Sequence, residues 1–187
     1  MQVILSSLIL LFGIGSYVAG STQILQDKYK PSLFSRAVWL LLAVNSFAGV
    51  VASDSSGSSV LLSAIFLLGN AVIFLLSIWK GTRQIGKLEL VCAGLLLISG
   101  LLWVAVDTPL INLGIGLLAH FIGAVPTYKR VWHDGSSESA AFWSLFFTAS
   151  VLGVVSGLGE PASKLLFPIY FALFDGSMTY LSLRKAK

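Results

Sequence analysis

Charged side chains are scarce in this sequence. Only 11% of its 187 residues are Asp, Glu, Lys or Arg, whereas soluble domains carry about 25%. The chain therefore lacks the polar surface that a fold in water needs. Hydrophobic residues make up 56% of it, and the mean hydropathy is +0.90. This composition excludes an ordinary soluble domain and predicts a polytopic membrane protein.

Cysteine and histidine are scarce as well. The one cysteine, Cys92, lies inside an apolar run, which excludes a disulfide framework. One cysteine and two distant histidines, His120 and His133, do not make a metal-ligand cluster. The sequence has neither the spacing of a Ser-His-Asp set nor a Gly-rich phosphate loop after a strand. We therefore expect no enzymatic activity, no cofactor and no bound metal.

Seven apolar runs are long enough to cross a bilayer, for which a helix needs about 20 residues. Backbone groups in lipid must pair within their own segment, so each run is expected to form a helix. The sequence thus predicts an all-α integral membrane protein with seven transmembrane helices. The predicted spans are residues 3–25, 37–52, 58–79, 88–106, 109–127, 140–157 and 162–183.

Basic residues indicate the orientation of these spans. The only basic residue at one end of them is Lys164, and eleven lie at the other: Lys28, Lys30, Arg36, Lys80, Arg83, Lys87, Lys129, Arg130, Arg184, Lys185 and Lys187. By the positive-inside rule the N-terminus is outside and the C-terminus cytoplasmic. The net charge of +4 is thereby explained without a nucleic-acid partner, and the expected location is the cell (inner) membrane.

Two loop regions, residues 21–39 and 125–143, resemble each other. Each leaves an apolar run, crosses basic and Ser-containing residues, and enters the next run at a tryptophan. At an offset of 104 positions the polar and aromatic matches are Ser32/Ser136, Ser35/Ser139 and Trp39/Trp143, followed within the next helices by Ser46/Ser150 and Gly49/Gly153. Such matches in a single frame indicate an internal duplication.

The duplication groups the spans as three, one and three. Residues 1–87 form the first three-helix repeat with its connector, residues 88–108 the linker helix, and residues 109–187 the second repeat. Three spans are an odd number, so the linker helix is needed to give both repeats the same orientation. Repeats arranged in this way can pack about an axis along the membrane normal, with a cavity between them.

With this layout the chain resembles the SWEET sugar transporters and the wider PQ-loop superfamily. The local motif is clearest in the second repeat, where Pro126-Thr127 matches the Pro-Gln or Pro-Thr turn. There Ser136 to Ser139 match the Ser/Thr-acid stretch, and Phe142-Trp143 match the aromatic start of the sixth span. In the first repeat Thr22-Gln23 stands where Pro-Gln is expected, so the glutamine is kept and the proline is lost.

The resemblance implies hinge or gating roles for Pro126 and Gln23. Proline lacks an N–H, so Pro126 would remove a helical hydrogen bond to Ile122 and kink the fifth span. The alternative is that Pro126 simply marks the end of that helix.

A pair of deep polar residues is the best indicator of a binding site. At an offset of 105, Asn70 in the third span matches Asp175 in the seventh, and both lie near the middle of their spans. The resemblance implies that this pair faces the substrate, where sugar transporters commonly carry two asparagines. The alternative is that each residue bonds across a helix interface.

Other polar residues are weaker candidates. Asn45, Ser46 and Ser150 lie inside the second and sixth spans, which resemble the helices that line the family's cavity, but hydrogen bonds between helices explain them equally well. His120 in the fifth span is a candidate proton relay, against the commoner outcome of a neutral histidine bonded to a neighbour. An aromatic belt at the cytoplasmic interface accounts for Trp39, Trp79, Trp132 and Trp143.

Asp175 is the one acidic residue well inside a predicted span, and no Lys or Arg is expected at its depth. A charge at the bilayer centre costs at least about 2.5–3.5 kcal/mol. Asp175 should therefore line a wet cavity, or desolvation should keep it protonated during part of a transport cycle, in which case it carries protons.

The expected function is transport of a small polar solute across a lipid bilayer by alternating access between the two bundles. The resemblance favours a sugar as the solute. Proton-coupled transport of an amino acid or a vitamin is the alternative on the same scaffold, as is a receptor or assembly protein that transports nothing. The sequence leaves open whether the chain forms a homo-oligomer.

The basic asymmetry predicts which loops an impermeant thiol reagent reaches in intact cells. In a Cys92→Ser background, Arg83→Cys should stay unlabelled until the membrane is permeabilised, and Glu160→Cys should react at once. Labelling of position 83 in intact cells would contradict the predicted orientation.

Overall fold

A computed structural model describes residues 1–28, 30–83, 87–106 and 108–184, and these residues are almost entirely helical. Between the helices lie two short 3₁₀ segments, Gly135–Ser137 and Ala162–Leu165. The α-helices are α1 (Gln2–Leu25), α2 (Leu33–Ala52), α3 (Gly57–Lys80), α4 (Lys87–Val106), α5 (Pro109–His133), α6 (Ala140–Ser156) and α7 (Leu166–Ser182).

Three of these helices, α1, α2 and α3, are long and apolar enough to cross a membrane. Helix α5 consists of two parts, Pro109–Val125 and Thr127–His133, which meet at 41°. If the two parts count as one span, α5 is a fourth helix long and apolar enough to cross a membrane. This finding covers only the described residues. Several long apolar helices are what a membrane-embedded protein requires.

The distribution of side chains is also that of a membrane-embedded bundle. Large apolar residues lie on the outside, for example Leu68, Leu75 and Leu173, which are 67%, 63% and 73% exposed. Polar residues are buried, with Asn70 and Asp175 each 2% exposed. The large apolar outer surface differs from that of a protein in water, because lipid accepts apolar side chains and polar groups at membrane depth find partners only inside the bundle.

Serine caps set the starts of three helices. The hydroxyl oxygens of Ser32, Ser56 and Ser139 accept hydrogen bonds from backbone N–H groups in the first turns of α2, α3 and α6. Such caps satisfy N–H groups that the helix itself leaves without partners. Because Ser32 is the cap, α2 begins at Leu33, four residues before the predicted start, and Arg36 lies inside the helix.

The helix ends differ from the predicted spans at two further places. Helix α5 continues to His133, so Lys129 and Arg130 lie in its last turns and not in a loop. The seventh predicted span begins with the 3₁₀ segment Ala162–Leu165, and the α-helix starts only at Leu166. At the first place the predicted break is wrong, because the backbone stays helical to His133. At the second the predicted α-helix starts late, because its first turn is a 3₁₀ segment.

The helices pack in two similar groups. Helix α3 packs against both α1 and α2, and α7 packs against both α6 and α5. The groups meet mainly through two interfaces, α1 with α6 and α2 with α5, and α3 also touches α6 and α7, while α4 packs mainly against α5. Each main interface therefore joins the first helix of one group to the second helix of the other.

Polar contacts tie the helices together at both ends of the bundle. One end of the bundle is named here the Lys80 end. There Lys80 Nζ donates to Leu25 O and to both carboxylate oxygens of Asp27, each at 3.0 Å. At the opposite, Lys164 end, Ser59 Oγ donates to Lys164 O at 2.7 Å. Apart from Lys164, the described Lys and Arg residues belong to the Lys80 end, and Lys185 and Lys187 lie outside the described residues.

Glycines permit close approach at the helix interfaces. A Cβ on Gly13 would lie 3.0 Å from Ile65, and one on Gly20 would lie 2.9 Å from Phe142. Among the described glycines the closest approach is at Gly69 of α3, where a Cβ would lie 2.2 Å from the Tyr17 ring of α1. Gly114, by contrast, faces open space.

Gly69→Ala is expected to lower the thermal unfolding temperature of the purified protein, because the Tyr17 ring has to move away from the new methyl group. Overpacking of this kind typically costs about 1–3 kcal/mol. Gly114→Ala is the matched control, since it adds the same methyl group to a helix where nothing lies within 4 Å. Equal unfolding temperatures for the two variants would contradict the described contact between α1 and α3.

Candidate functional site

Side chains from six helices line a cavity at the centre of the bundle, named here the central cavity. Its volume is about 10 Å³, which is about the space that one buried water needs. A sugar or an amino acid therefore enters only if the helices move apart. The lining residues are Tyr17, Arg36, Trp39, Phe66, Asn70, His120, Phe142, Trp143, Phe146, Phe171, Phe174 and Asp175.

Eight of the lining residues form four pairs at nearly constant sequence offset. Two of the pairs were already matched in the sequence, Trp39/Trp143 and Asn70/Asp175. The cavity adds Phe66/Phe171, at the same offset of 105 as the polar pair, and Tyr17/His120 at an offset of 103. Both new pairs were present in the sequence, but aromatic residues in apolar runs match too often by chance to be singled out.

Asn70 is held in one orientation by hydrogen bonds. Its Nδ2 donates to Tyr17 Oη at 3.0 Å and to Phe66 O, one turn earlier on the same helix, at 2.8 Å. Because a backbone carbonyl only accepts, the atom that faces Phe66 O must be the amide nitrogen. Both amide hydrogens are thereby used, which leaves the carbonyl oxygen Oδ1 as the remaining polar atom of the Asn70 side chain.

Asp175, on α7, lines the same cavity. It is buried, and its Oδ2 has no hydrogen-bond partner among the described residues. A buried carboxyl oxygen without a partner loses the hydrogen bonds that water gave it. Such an atom is one that a solute or a proton would satisfy.

His120 is enclosed by aromatic rings. Its Nδ1 lies 2.8 Å from Tyr170 Oη, and its ring is 4.7 Å from that of Trp39 and 4.8 Å from that of Phe174. His120 is thus hydrogen-bonded to a neighbouring residue, which is the alternative to a proton relay given above. Its buried Nε2 remains without a hydrogen-bond partner among the described residues.

Arg36 is a lining residue that sequence reasoning missed. It was counted among the loop residues, and no Lys or Arg was expected at the depth of Asp175. In the structure Arg36 lies in the first turns of α2, with its guanidinium carbon 5.1 Å from the centre of the Trp39 ring, and it lines the same cavity as Asp175. The early start of α2 turns this side chain inward.

The aromatic-belt interpretation fails for two of the four tryptophans. Trp39 and Trp143 are 9% and 4% exposed and line the central cavity. Trp79 and Trp132, at 72% and 60% exposed, lie on the surface as a belt requires. The two inward tryptophans are the pair that matched between the repeats.

Four phenylalanines, named here the phenylalanine layer, pack between the cavity and the Lys164 end. They are Phe66, Phe146, Phe167 and Phe171. The ring centroids of Phe66 and Phe171 are 4.6 Å apart, and those of Phe167 and Phe171 are 4.7 Å apart. Phe66 and Phe171 each lie about one helical turn from Asn70 and Asp175, so this layer borders the polar pair directly.

A second cavity of about 30 Å³ lies toward the Lys80 end. It is named here the inner cavity and contains Gln23, one of the two predicted gating residues, together with Glu138. Arg36, Phe142 and Trp143 line both cavities. These three side chains therefore stand between the central cavity and the Lys80 end.

Pro126, the other predicted hinge residue, falls where α5 bends. The helix parts before and after position 126 meet at 41°, and the helix continues for seven residues beyond it. Pro126 therefore does not end the helix. Its side chain lies outside the described residues, as do Tyr29 and Asp107.

The remaining candidates lie away from the central cavity. Asn45 and Ser46 face α5, where a Cβ on Gly116 would lie 2.6 Å from Asn45 Nδ2. Ser150 donates to Phe146 O of its own helix at 2.9 Å. Within the described part of the chain, none of the three is among the residues that line the central cavity. The structure thus brings together Asn70, Asp175 and His120, and separates them from Asn45, Ser46 and Ser150.

Comparisons of this chain with protein-family models, with curated proteins and with solved structures found no match.

Proposed function

We propose that this chain is a membrane transporter that carries a small polar solute through the central cavity by alternating access. The observation that carries the proposal is the cavity itself. It lies between two helix groups, it is lined by pairs of residues at matching sequence positions, and its walls present polar atoms in the middle of an apolar bundle. A purely structural core would be expected to satisfy such atoms.

The packing supports two three-helix repeats joined by α4, the linker helix. In each repeat the third helix lies between the other two, and the first helix of each repeat meets the second helix of the other. Exchanging the repeats maps these main contacts onto each other, which is compatible with a two-fold axis along the membrane normal. Helices α6 and α7 have 17 residues each, at the short end of the range for a span.

The described conformation fits an occluded state of such a transporter. The phenylalanine layer lies between the cavity and one end, and Arg36, Phe142 and Trp143 lie between it and the other. A solute would reach Asn70 and Asp175 only after one of these barriers opens. The basic residues at the Lys80 end favour a cytoplasmic location for the inner cavity.

The resemblance to sugar transporters makes a sugar the first solute to test. Amino acids and vitamins are alternatives on the same scaffold, and a receptor that moves no solute is the alternative outside transport. The protein reconstituted in liposomes should take up at least one member of a panel of D-glucose, L-leucine, uridine and thiamine. Binding of a panel member without any flux would favour the receptor.

Asn70→Ala should abolish this uptake without preventing membrane insertion. The substitution removes the carbonyl acceptor and the bonds to Tyr17 and Phe66, so a solute that binds through N–H or O–H groups loses a partner at the centre of the cavity. Each buried hydrogen-bond partner left unsatisfied costs about 1–3 kcal/mol, which alone would lower uptake about five- to 150-fold. Asn45→Ala is the matched control, and wild-type uptake by Asn70→Ala would contradict the site.

Proton coupling is a second candidate, favoured by the buried atoms Asp175 Oδ2 and His120 Nε2 that lack partners among the described residues. In that case a pH gradient would drive uptake, because Asp175 would carry a proton across with the solute. Asp175→Asn keeps the shape of the side chain and should retain solute exchange while losing the response to the gradient. Identical pH-independent flux in the native protein and the variant would remove the carboxyl from any coupling role.

A further inference from the structure

A long groove runs between α1 and α3 on the outside of the bundle, and it is named here the α1–α3 groove. Its volume is about 630 Å³, within the range of about 300–1,000 Å³ in which proteins hold small ligands. Large apolar side chains that are about half exposed form its rims, such as Ile14 and Val18 on α1 and Leu68 and Val72 on α3. In a membrane-embedded bundle such a surface faces lipid.

Small residues produce this groove. Ala64 and Gly69 line it from α3, and Ser21 lines it from α1. At the offset of 105 the positions that match Ala64 and Gly69 in the second repeat hold Ile169 and Phe174. The first repeat thus has small residues where the second has large ones, so the duplication does not account for the groove. A gap beside lipid loses dispersion contacts unless another molecule fills it.

The dimensions of the groove favour an acyl chain over a helix. Along α1 its lining runs from Leu10 to Leu25, which is about 22 Å at a helical rise of 1.5 Å per residue. The volume spread over this length corresponds to a groove about 5–6 Å wide. A helix is about 10–12 Å across, so a helix of a second copy does not enter. The hydrocarbon of one leaflet is about 15 Å thick, so a whole acyl chain fits.

The lining offers few hydrogen bonds to a ligand. Its side-chain hydroxyls belong to Tyr17, Ser21 and Thr22. Thr22 Oγ1 donates to carbonyl groups of its own helix at 2.8 Å, and the Tyr17 hydroxyl accepts from Asn70 on the cavity side. A polar solute would therefore lose its hydrogen bonds to water on entering this groove, whereas an acyl chain has none to lose.

Basic residues cluster where the groove reaches the Lys80 end. The connection after α1 carries Lys28 and Lys30, and the connection after α3 carries Arg83, and all three are exposed. A backbone hydrogen bond from Thr82 N to Pro31 O at 2.9 Å holds the two connections together. Three cations from two connections are thereby placed at the same end of the same pair of helices.

The acidic residue of these connections is already paired. Asp27 is the only Asp or Glu in them, and Lys80 Nζ donates to it and to the backbone of Leu25, a groove residue. Lys80 Nζ also lies 5.2 Å from the centre of the Trp79 ring, and Trp79 is exposed as expected at a lipid–water boundary. The cluster therefore attracts anionic lipids, and each basic residue strengthens such binding about fivefold.

We propose that the α1–α3 groove binds one acyl chain of an anionic phospholipid from the leaflet at the Lys80 end, with the phosphate at Lys28, Lys30 and Arg83. The chain lies against Tyr17, which lines the central cavity as well as the groove. The bound lipid thus supports, from outside, the ring that holds Asn70 in place. The groove is separate from the central cavity, so this inference does not depend on transport.

The test measures lipid binding to the purified protein in detergent. Native mass spectrometry counts the bound lipids, and a lipid that binds the folded state raises the unfolding temperature. The probes are phosphatidylglycerol and phosphatidylcholine with the same palmitoyl and oleoyl chains. One phosphatidylglycerol should bind per chain, at least about tenfold more tightly than phosphatidylcholine. Equal affinity for the two lipids, or the absence of any bound lipid, would overturn the proposal.

Variants of the groove test where the acyl chain lies. Ala64→Phe should weaken binding of both lipids at least about tenfold, because the ring takes the space of the chain and its dispersion contacts. Leu75→Phe is the matched control, since it places the same ring on α3 outside the groove. Ser21→Leu narrows the groove from α1 and provides the same test if Ala64→Phe does not fold. Unchanged lipid binding in the groove variants would show that the chain lies elsewhere.

Variants of the basic cluster test where the phosphate lies. Lys28→Gln, Lys30→Gln and Arg83→Gln together should lower the affinity for phosphatidylglycerol to that for phosphatidylcholine, which should itself stay unchanged. Lys129→Gln with Arg184→Gln is the control, because it removes basic residues at the same end in the second repeat. A dimer that Ala64→Phe dissociates without any change in lipid binding would identify a second copy as the occupant and overturn the proposal.

Discussion

The hydrogen bond between Asn70 and Tyr17 joins the first and third helices at the centre of the bundle, and the central cavity depends on it. Gly69 makes the contact possible, because no larger residue lets the Tyr17 ring lie so close to α3. Tyr17 and Phe66 together use both hydrogens of the Asn70 amide. A polar group in an apolar interior is costly unless it is bonded, so the same bonds that hold the helices also decide which atom faces the cavity.

The two halves of the cavity have similar shapes and different chemistry. Phenylalanine and tryptophan recur in both, while Asn70 is matched by Asp175 and Tyr17 by His120. Arg36 in the first repeat is matched by Ala140 in the second. The matching aromatic rings make the two halves pack alike, whereas the polar and charged residues make the two halves chemically different. In the proposed transporter, this difference would orient a solute and not merely enclose it.

The small volume of the cavity is the main constraint on any mechanism. A space that suits about one water does not hold a solute, so in the proposed transporter binding would have to select or produce a wider arrangement of the two helix groups. The interfaces α1–α6 and α2–α5 are where such a change would occur, since they join the groups. Phe142 and Trp143 of α6 also line both cavities, and a movement of this helix would therefore change access from the Lys80 end.

The sequence by itself determined that the chain is helical and apolar, because length, hydropathy and low charge are properties of each segment alone. It also singled out the pair Asn70 and Asp175, since a polar residue in the middle of an apolar run can be recognised from the sequence without knowing which helices pack around it. Sequence reasoning failed for Arg36, Trp39 and Trp143, which it placed at the interface. Only the tertiary structure decided these positions, because the direction of a side chain depends on where its helix begins and on which helices pack against it. The separation of Asn45, Ser46 and Ser150 from the cavity has the same cause. Depth within a span can be read from the sequence, but the face of the helix that meets the cavity is set by packing.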